Sequence, residues 1–366
     1  MTQRLIDQGA DVIPEIESAL AVIAASAETS DQWGVPRSHV DLLATVLAHE
    51  SAQGVAQMRE ITERLAGADA STWFCWTQHK TPLRTMLAGG NQPANRDLSQ
   101  RWLAGLRSGE FLAAIAFAHV RRGGPPNPVA RKVKDGWELT GKLDWVTSWD
   151  IADVLMLLAA TEDNSQFVIF YLPIANFTQN FESCLIGEPL KLLAMSGTYS
   201  RPITFDHTFI HHDYVFSIID AKEWLSADAT KTVLPNPAAL GVARAAIEQL
   251  NEVSINRKQE AGKTAAKNLA QEFERVRAQA YAATDNPETP RSQLVGLRVQ
   301  ILEFALTCAV AVITVSSGGA MVAGNTAERR VREALFLQVQ AQTQETRDAA
   351  LSRVTLATNS EPGGVR

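Results

Sequence analysis

The chain has 366 residues, 46% of them hydrophobic and 20% charged, with a net charge of -6. That length suits two or three domains and a sizeable core, while the acidic balance argues against nucleic acid as the main partner, since phosphate binding needs a concentrated positive surface. The three cysteines, Cys75, Cys184 and Cys308, share no metal-ligand spacing, read as small buried apolar residues and suit a reducing compartment.

The first residues lack a basic stretch followed by a continuous apolar core, so no signal peptide is expected. The apolar run at 304–315 is too short to span a bilayer, and a soluble, cytoplasmic chain with no membrane partner follows. Up to about Gly105 the sequence reads as helices. Ile13, Ile16, Leu20 and Ile23 recur at helical spacing, as do Leu42, Leu43, Val46 and Leu47, with Ser38 and Asp41 as an N-cap pattern before the second run. Arg59, Glu60, Glu63 and Arg64 read as a solvated face. His39, His49 and His79 lack the spacing of a zinc site, so no metal is expected there.

The character changes between Gly109 and about Val215. Gly123, Gly124, Pro125, Pro126, Asn127 and Pro128 form a loop. Strand-like runs follow at 129–133, 137–139, 144–147, 154–160, 167–172, 190–193 and 202–209, which suggests a small β-barrel or sandwich. Within 137–153 the alternation of Trp137, Leu139 and Gly141 against Glu138, Thr140 and Lys142 marks a half-buried strand. Gly141 permits a turn, and a second strand then carries Trp145, Thr147 and Ser148 to a loop. An indole beside two hydroxyls at a strand end can stack on a flat heterocycle and hydrogen-bond its edge; a core tryptophan with polar loop residues has the same pattern. Gly197, in the polar loop 195–200, can allow close approach of backbone to a ligand. His211 and His212 read as adjacent surface residues leaving the sheet, and neighbours in sequence rarely ligate one metal.

From about Pro235 the chain is helical again, with helices over 239–253, 264–283 and 294–316 and a final one from Glu328 to Thr346 and beyond. The apolar 294–316 helix suits the centre of a bundle or an oligomer interface. Pro362, Gly363 and Gly364 mark a tail. The fold class is therefore α+β: a helical domain at 1–108, a β-domain at 109–217 and a helical bundle at 218–366.

This order of domains resembles the acyl-CoA dehydrogenase superfamily of flavoproteins, and three local segments carry the resemblance. Residues 137–153 look like the family's W-x-L-x-G-x-K-x-W-I-T-N/S-x-x-x-A-D. Residues 195–200 with Thr204, Phe205, Asp206 and Val215 resemble its loop and strand leading to F-D-x-V-x-V-P. Gly318 and Gly319 with residues 328–334 look like G-G-x-G … E-R-x-x-R-D-A. The resemblance covers roughly 71–354 and implies FAD between the β-domain and the C-terminal bundle. It implies that Trp145 flanks the flavin ring, that Thr147 and Ser148 bond its polar edge, and that Phe117, Ala118 and His119 lie on a strand touching it. Arg257 resembles the arginine of R-x-Q-F-G, which reaches a phosphate or adenine of FAD across a subunit boundary, a sensible place for charge-assisted bonds. Gly318 and Gly319 would also face the cofactor, and Thr343 and Glu345 match the T and second E of E-G-T-N-E.

The family's glutamate, which removes a substrate α-proton, aligns with Ala341, and the alternative position near Lys231 holds no carboxylate. His119 is the titratable group left as a candidate base. Three functions are implied: an FAD-dependent oxidoreductase acting on an acyl-CoA or similar substrate, a flavin-dependent monooxygenase of the same fold, or a non-catalytic subunit paired with a glutamate-bearing paralogue. A homodimer or homotetramer is expected for the first.

Overall fold

The computed structural model describes residues 5–6, 11, 14–48, 54–89, 95–122, 124–125 and 127–359. Ile13, His49, Gly123, Pro126 and the 362–364 tail lie outside the described residues. Two compact units emerge: Gln8–Ser226, and Ala227–Arg366 joined by Met1–Asp7. The boundary expected at 108/109 falls inside the first unit.

The first unit opens with α1 (Pro14–Ala25), α2 (Ala27–Trp33), α3 (Arg37–Ala48), α4 (Val55–Ala68), α5 (Ala70–Gly89) and α6 (Arg96–Ser108). Pro14 begins α1, where a missing N–H costs nothing, and Ile16, Leu20 and Ile23 form its buried face. Ser38 is no N-cap, because α3 already starts at Arg37. The charged stretch in α4 is not a solvated face: Glu60 and Glu63 are fully buried, and Arg64 pairs with Glu17 of α1. Helical spacing alone cannot tell a wet face from one that meets another helix.

Among the described residues eight strands follow in one sheet: β1 (Ala113–Ala116), β2 (Val129–Val133), β3 (Gly136–Val146), β4 (Val154–Thr161), β5 (Gln166–Pro173), β6 (Cys184–Ile186), β7 (Arg201–His211) and β8 (Val215–Asp220), with the short helix α7 (Phe177–Asn180) between β5 and β6. Their order is β6-β7-β3-β2-β4-β5-β8, with β1 pairing β4 in parallel. The sheet buries Leu139, Leu143, Leu155, Leu157, Val168 and Phe170 in one core. Two connections tie the helices to it. Tyr171 donates to the carbonyl oxygen of Pro82, inside α5, at 2.8 Å. His79 of α5 accepts from the Ala113 N–H at 3.1 Å through Nδ1, so Nε2–H donates to the Leu106 carbonyl at 3.0 Å.

Gly141 is a bulge, not a turn: β3 is one continuous strand whose register against β7 shifts between Leu139 and Gly141. Gly141 has φ +130°, and a Cβ there would sit 2.1 Å from Asn127 Oδ1, which accepts the Lys142 N–H at 2.6 Å. Bulges re-aim a strand in this way. Residues 190–193 form no strand; Leu190 bonds Ser200 through a single backbone contact at 2.9 Å. The short strands β1, β6 and β8 carry too little alternation to show in the sequence.

The second unit packs α9 (Pro237–Asn256), α10 (Glu260–Asp285), α11 (Arg291–Ser316), α12 (Thr326–Leu337) and α13 (Gln344–Asn359); α8 (Ala221–Thr232) runs across the boundary between units. Asn236 caps α9 by accepting the Ala238 N–H at 3.0 Å, with Pro237 at the first helical position. Leu5 and Ile6 donate backbone N–H groups to Glu248 of α9, both at 3.0 Å. The stretch Arg291–Met321 is long and apolar enough to cross a membrane by length and composition, unlike the shorter run read from sequence, and half of its most apolar window is buried inside the structure. The final helix is broken: α12 stops at Leu337 and α13 starts at Gln344, with Ala341 between them at φ +51°.

Candidate functional site

The end of β3 and the turn after β1 meet in the first unit. A second register shift on β3, between Leu143 and Val146, breaks its alternation: both of these are buried, while Trp145, of the same parity as Leu143, faces outward and is 47% exposed. Phe117, Ala118 and His119 are not on a strand, because β1 ends at Ala116 and 118–121 form a 3₁₀ turn. Arg122, leaving that turn, pairs with Asp144 beside Trp145. The Phe117 ring meets Trp224 edge-on at 5.7 Å and carries the Arg121 guanidinium at 4.6 Å. His119 donates through Nε2 to the Leu158 carbonyl at 2.7 Å, and burial pushes its imidazole down to about 4. With Nε2–H committed to Leu158, Nδ1 is the nitrogen left to accept a proton, and burial, which disfavours the charged ring, makes it a weak base.

Thr147 and Ser148 are both buried and held by the 195–200 loop. The Ser148 N–H donates to the Thr198 carbonyl at 2.8 Å, and Ser148 turns left-handed at φ +66°. Its hydroxyl is buried without a well-formed hydrogen bond, next to the Cys75 thiol, which burial pushes up to about 12. Proton counting orders the other hydroxyls. Thr198 donates to the Met195 carbonyl at 2.7 Å, so Ser200 donates to Thr198 at 3.1 Å, and Thr147 donates to Ser200 at 3.0 Å. Thr147 is left with acceptor capacity only. Nothing in the sequence marks Ser200 and Thr198 as part of this arrangement, since their distance from Thr147 along the chain hides the contact.

Gly197 serves the protein's own backbone and not a ligand: a Cβ would lie 2.1 Å from the Ser30 carbonyl oxygen of α2, and its carbonyl accepts the Val35 N–H at 2.9 Å. Gly197→Ala is expected to push the loop from α2 and lower stability by about 1–3 kcal/mol, readable as a fall in the urea midpoint at unchanged slope.

In the second unit Arg257, Gly319, Asn256 and Asn325 line a cleft of about 300 Å³. Arg257 caps α9 and donates to the Val315 carbonyl at 3.2 Å and to Ser317 Oγ at 3.4 Å. One guanidinium edge is so occupied, and a planar fork of this kind can still bind an anion. Gly318 lies in the 3₁₀ turn that follows α11, beside Gly319.

Thr343 and Glu345 are elsewhere. Thr343 and Thr346 bond each other's backbone N–H at the start of α13, at 2.9 and 3.3 Å, and Glu345 pairs with Arg291 at 2.7 Å. Arg291 starts α11 and Val315 stands one residue before its end, so a helix of 26 residues, roughly 39 Å long, separates this pair from the Arg257 cleft. The segment 328–334 is a scaffold: Arg329 and Arg330 both donate to the buried carboxylate of Glu333, and Arg332 to Glu328.

No family model matches the sequence, and neither does any curated protein. The fold does have close parallels among solved structures. Butyryl-CoA dehydrogenase from Megasphaera elsdenii superposes with a TM-score of 0.72 at 16% identity, covering 94% of this chain and 99% of that one. A glutaryl-CoA dehydrogenase from Mycobacterium smegmatis in complex with FADH2 gives 0.73 at 13% identity over 96% and 97%. The nitrososynthase from Micromonospora carbonacea var. africana gives 0.68 at 17% identity over 98% and 100%. The chain has the acyl-CoA dehydrogenase-like fold.

Proposed function

We propose that this chain binds FAD and is a flavin-dependent oxidoreductase. The observation that carries the reading is Trp145, a half-exposed indole at a strand end beside two buried hydroxyls, of which that of Thr147 is oriented from behind by Ser200. The acceptor-only Thr147, with the Ser148 hydroxyl beside it against the Cys75 thiol, suits a flat ring with an N–H at its edge, as a flavin has. The Arg257 cleft suits a pyrophosphate. Glu345 and Thr343 stand at the far end of α11 from that cleft, which supports an assembly in which a second copy supplies Arg257 to the cofactor, in a homodimer or homotetramer. The three free buried thiols accord with a reducing compartment, which we take to be the cytoplasm.

Bound flavin would supply the two-electron chemistry; the residues named here would bind and orient it. Oxidation of an acyl-CoA further requires a proton acceptor within reach of substrate. Ala341 stands at the aligned position with Gln340 and Gln342 on either side, and burial leaves His119 a weak base with Nδ1 as its one free nitrogen. This favours an oxygen-using reaction of the monooxygenase type, which needs no such base, over acyl-CoA dehydrogenation.

The purified chain is expected to take up FAD with a visible absorbance spectrum. Trp145→Ala should weaken binding by up to about tenfold, and Arg257→Ala by roughly ten- to a hundredfold. A colourless protein that takes up no added FAD sinks the reading. Transfer of an isotopically labelled oxygen atom from dioxygen to product supports monooxygenation; bleaching of the flavin by a saturated acyl-CoA under nitrogen supports dehydrogenation instead. Activity found only after co-purification with a glutamate-bearing paralogue assigns the chain to a non-catalytic subunit.

A further inference from the structure

On the first unit, away from Trp145, β7 ends at His211, whose pairing with Gly136 places it beside the β2–β3 turn. A short 3₁₀ turn over His212–Tyr214 then folds the Asp213 carboxylate back over both imidazoles. His211 Nδ1 lies 3.1 Å from Asp213 Oδ2, and His212 Nε2 lies 3.2 Å from Oδ1. The two rings are 4.1 Å apart, and the three ligand-type atoms all fall within 4.8 Å of one another. A tetrahedral ion with bonds of about 2.0–2.1 Å spaces its ligands at about 3.3 Å, so little movement is needed.

The tautomers decide what this cluster wants. The Asp213 backbone N–H points at His211 Nδ1 from 3.4 Å, so that nitrogen is an acceptor. His212 Nδ1 donates to the Asp135 carbonyl at 3.0 Å, which leaves the lone pair on Nε2. His212 Nε2 and the Asp213 carboxylate therefore converge with no hydrogen between them, and His211 Nδ1, which the Asp213 N–H meets only at a long 3.4 Å, can exchange that contact for a cation at the centre. The His212–Asp135 bond is also the outer contact by which metal-bound imidazoles are oriented. Sequence adjacency argues against a shared ion, but the turn brings in the third ligand and the backbone presets both rings.

We propose that His211, His212 and Asp213 bind one borderline divalent transition ion of the zinc or nickel class, with solvent completing its coordination. Two imidazoles and one carboxylate select such ions over calcium or magnesium, which take oxygen ligands.

The test is calorimetric titration of the full, untagged, chelator-treated chain with zinc chloride and nickel chloride near neutral pH. One equivalent should bind. His212→Ala and Asp213→Asn should each weaken binding by roughly tenfold or more, and excess calcium should not compete. His207→Ala, which removes the nearby surface imidazole paired with Glu138, should match the parent chain. The proposal is overturned if the parent takes up no ion, or if a chain carrying both His211→Ala and His212→Ala binds as well as the parent; protons alone then fill the cluster.

Discussion

Replacing Glu333 by glutamine is expected to lower folding stability by about 3–5 kcal/mol. The carboxylate is 4% exposed and accepts from Arg329 and Arg330, themselves 2% and 8% exposed. Ions of this kind are expensive to take out of water and persist because the opposite charge is in contact. The substituted amide would retain one acceptor oxygen but no charge, leaving both guanidinium groups facing a neutral partner in a low-dielectric setting. Glu328→Gln is the control. That carboxylate pairs with Arg332 one turn later, but the pair is partly open to solvent, and pairs of that sort contribute about 1 kcal/mol or less. Urea titration of both variants should show a collapsed midpoint for the first and a near-parental one for the second. Equal losses would mean that burial of the 329–333 cluster is not what gives the E-R-R-V-R-E-A segment its weight.

The contrast within this one segment shows what its residues reveal and conceal. Residues 328–334 are legible as a family-like motif, yet nothing in their order distinguishes the two carboxylates. Only the packing of α12 against the bundle does so. The strands divide similarly. β4 and β5 are readable because continuous apolar runs bounded by turn residues leave few alternatives. β3 is readable from its alternation, but its bulge depends on Asn127 reaching across from the preceding loop. Glu60 and Glu63 look solvated because their spacing on α4 is also that of a wet helix face.

The candidate site is legible to the same depth. Trp145, Thr147 and Ser148 stand out through local pattern, and their place at the end of one strand follows from it. The direction of the Thr147 hydroxyl cannot be read, because it is set by Ser200 and Thr198, across the sheet in β7's approach. Arg257 and Gly319 line one cleft although they are far apart in sequence, since the end of α9 meets the end of α11. Thr343 and Glu345, closer to Gly319 in sequence, lie a whole helix away, because α11 reverses the chain and α13 returns beside its start.

Acid should unfold this protein early, through two histidines. Burial pushes His79 and His119 down to about 4 from an ordinary 6.5. At pH 5 the unfolded chain protonates both rings while the folded chain leaves both neutral, so the unfolded state binds more protons and stability must fall as pH falls. The loss begins near 6.5, runs to about 4 and levels off below, where the folded rings protonate too. Its full size is roughly 3 kcal/mol for His79, and less for His119, whose ring is partly open to solvent. Both rings donate through Nε2 to carbonyl oxygens, of Leu106 and Leu158, a bond the neutral tautomer can make; His79 also needs its Nδ1 lone pair for the Ala113 N–H. Protonation therefore removes the acceptor that holds β1 to α5. Urea midpoints measured from pH 7 downward should fall for the parent, and His79→Gln, which cannot titrate, should show a shallower fall from a lower starting value. If the two curves run parallel through that window, His79 is not protonated differently in the folded and unfolded chains, and the staple between α5 and β1 has no part in acid sensitivity.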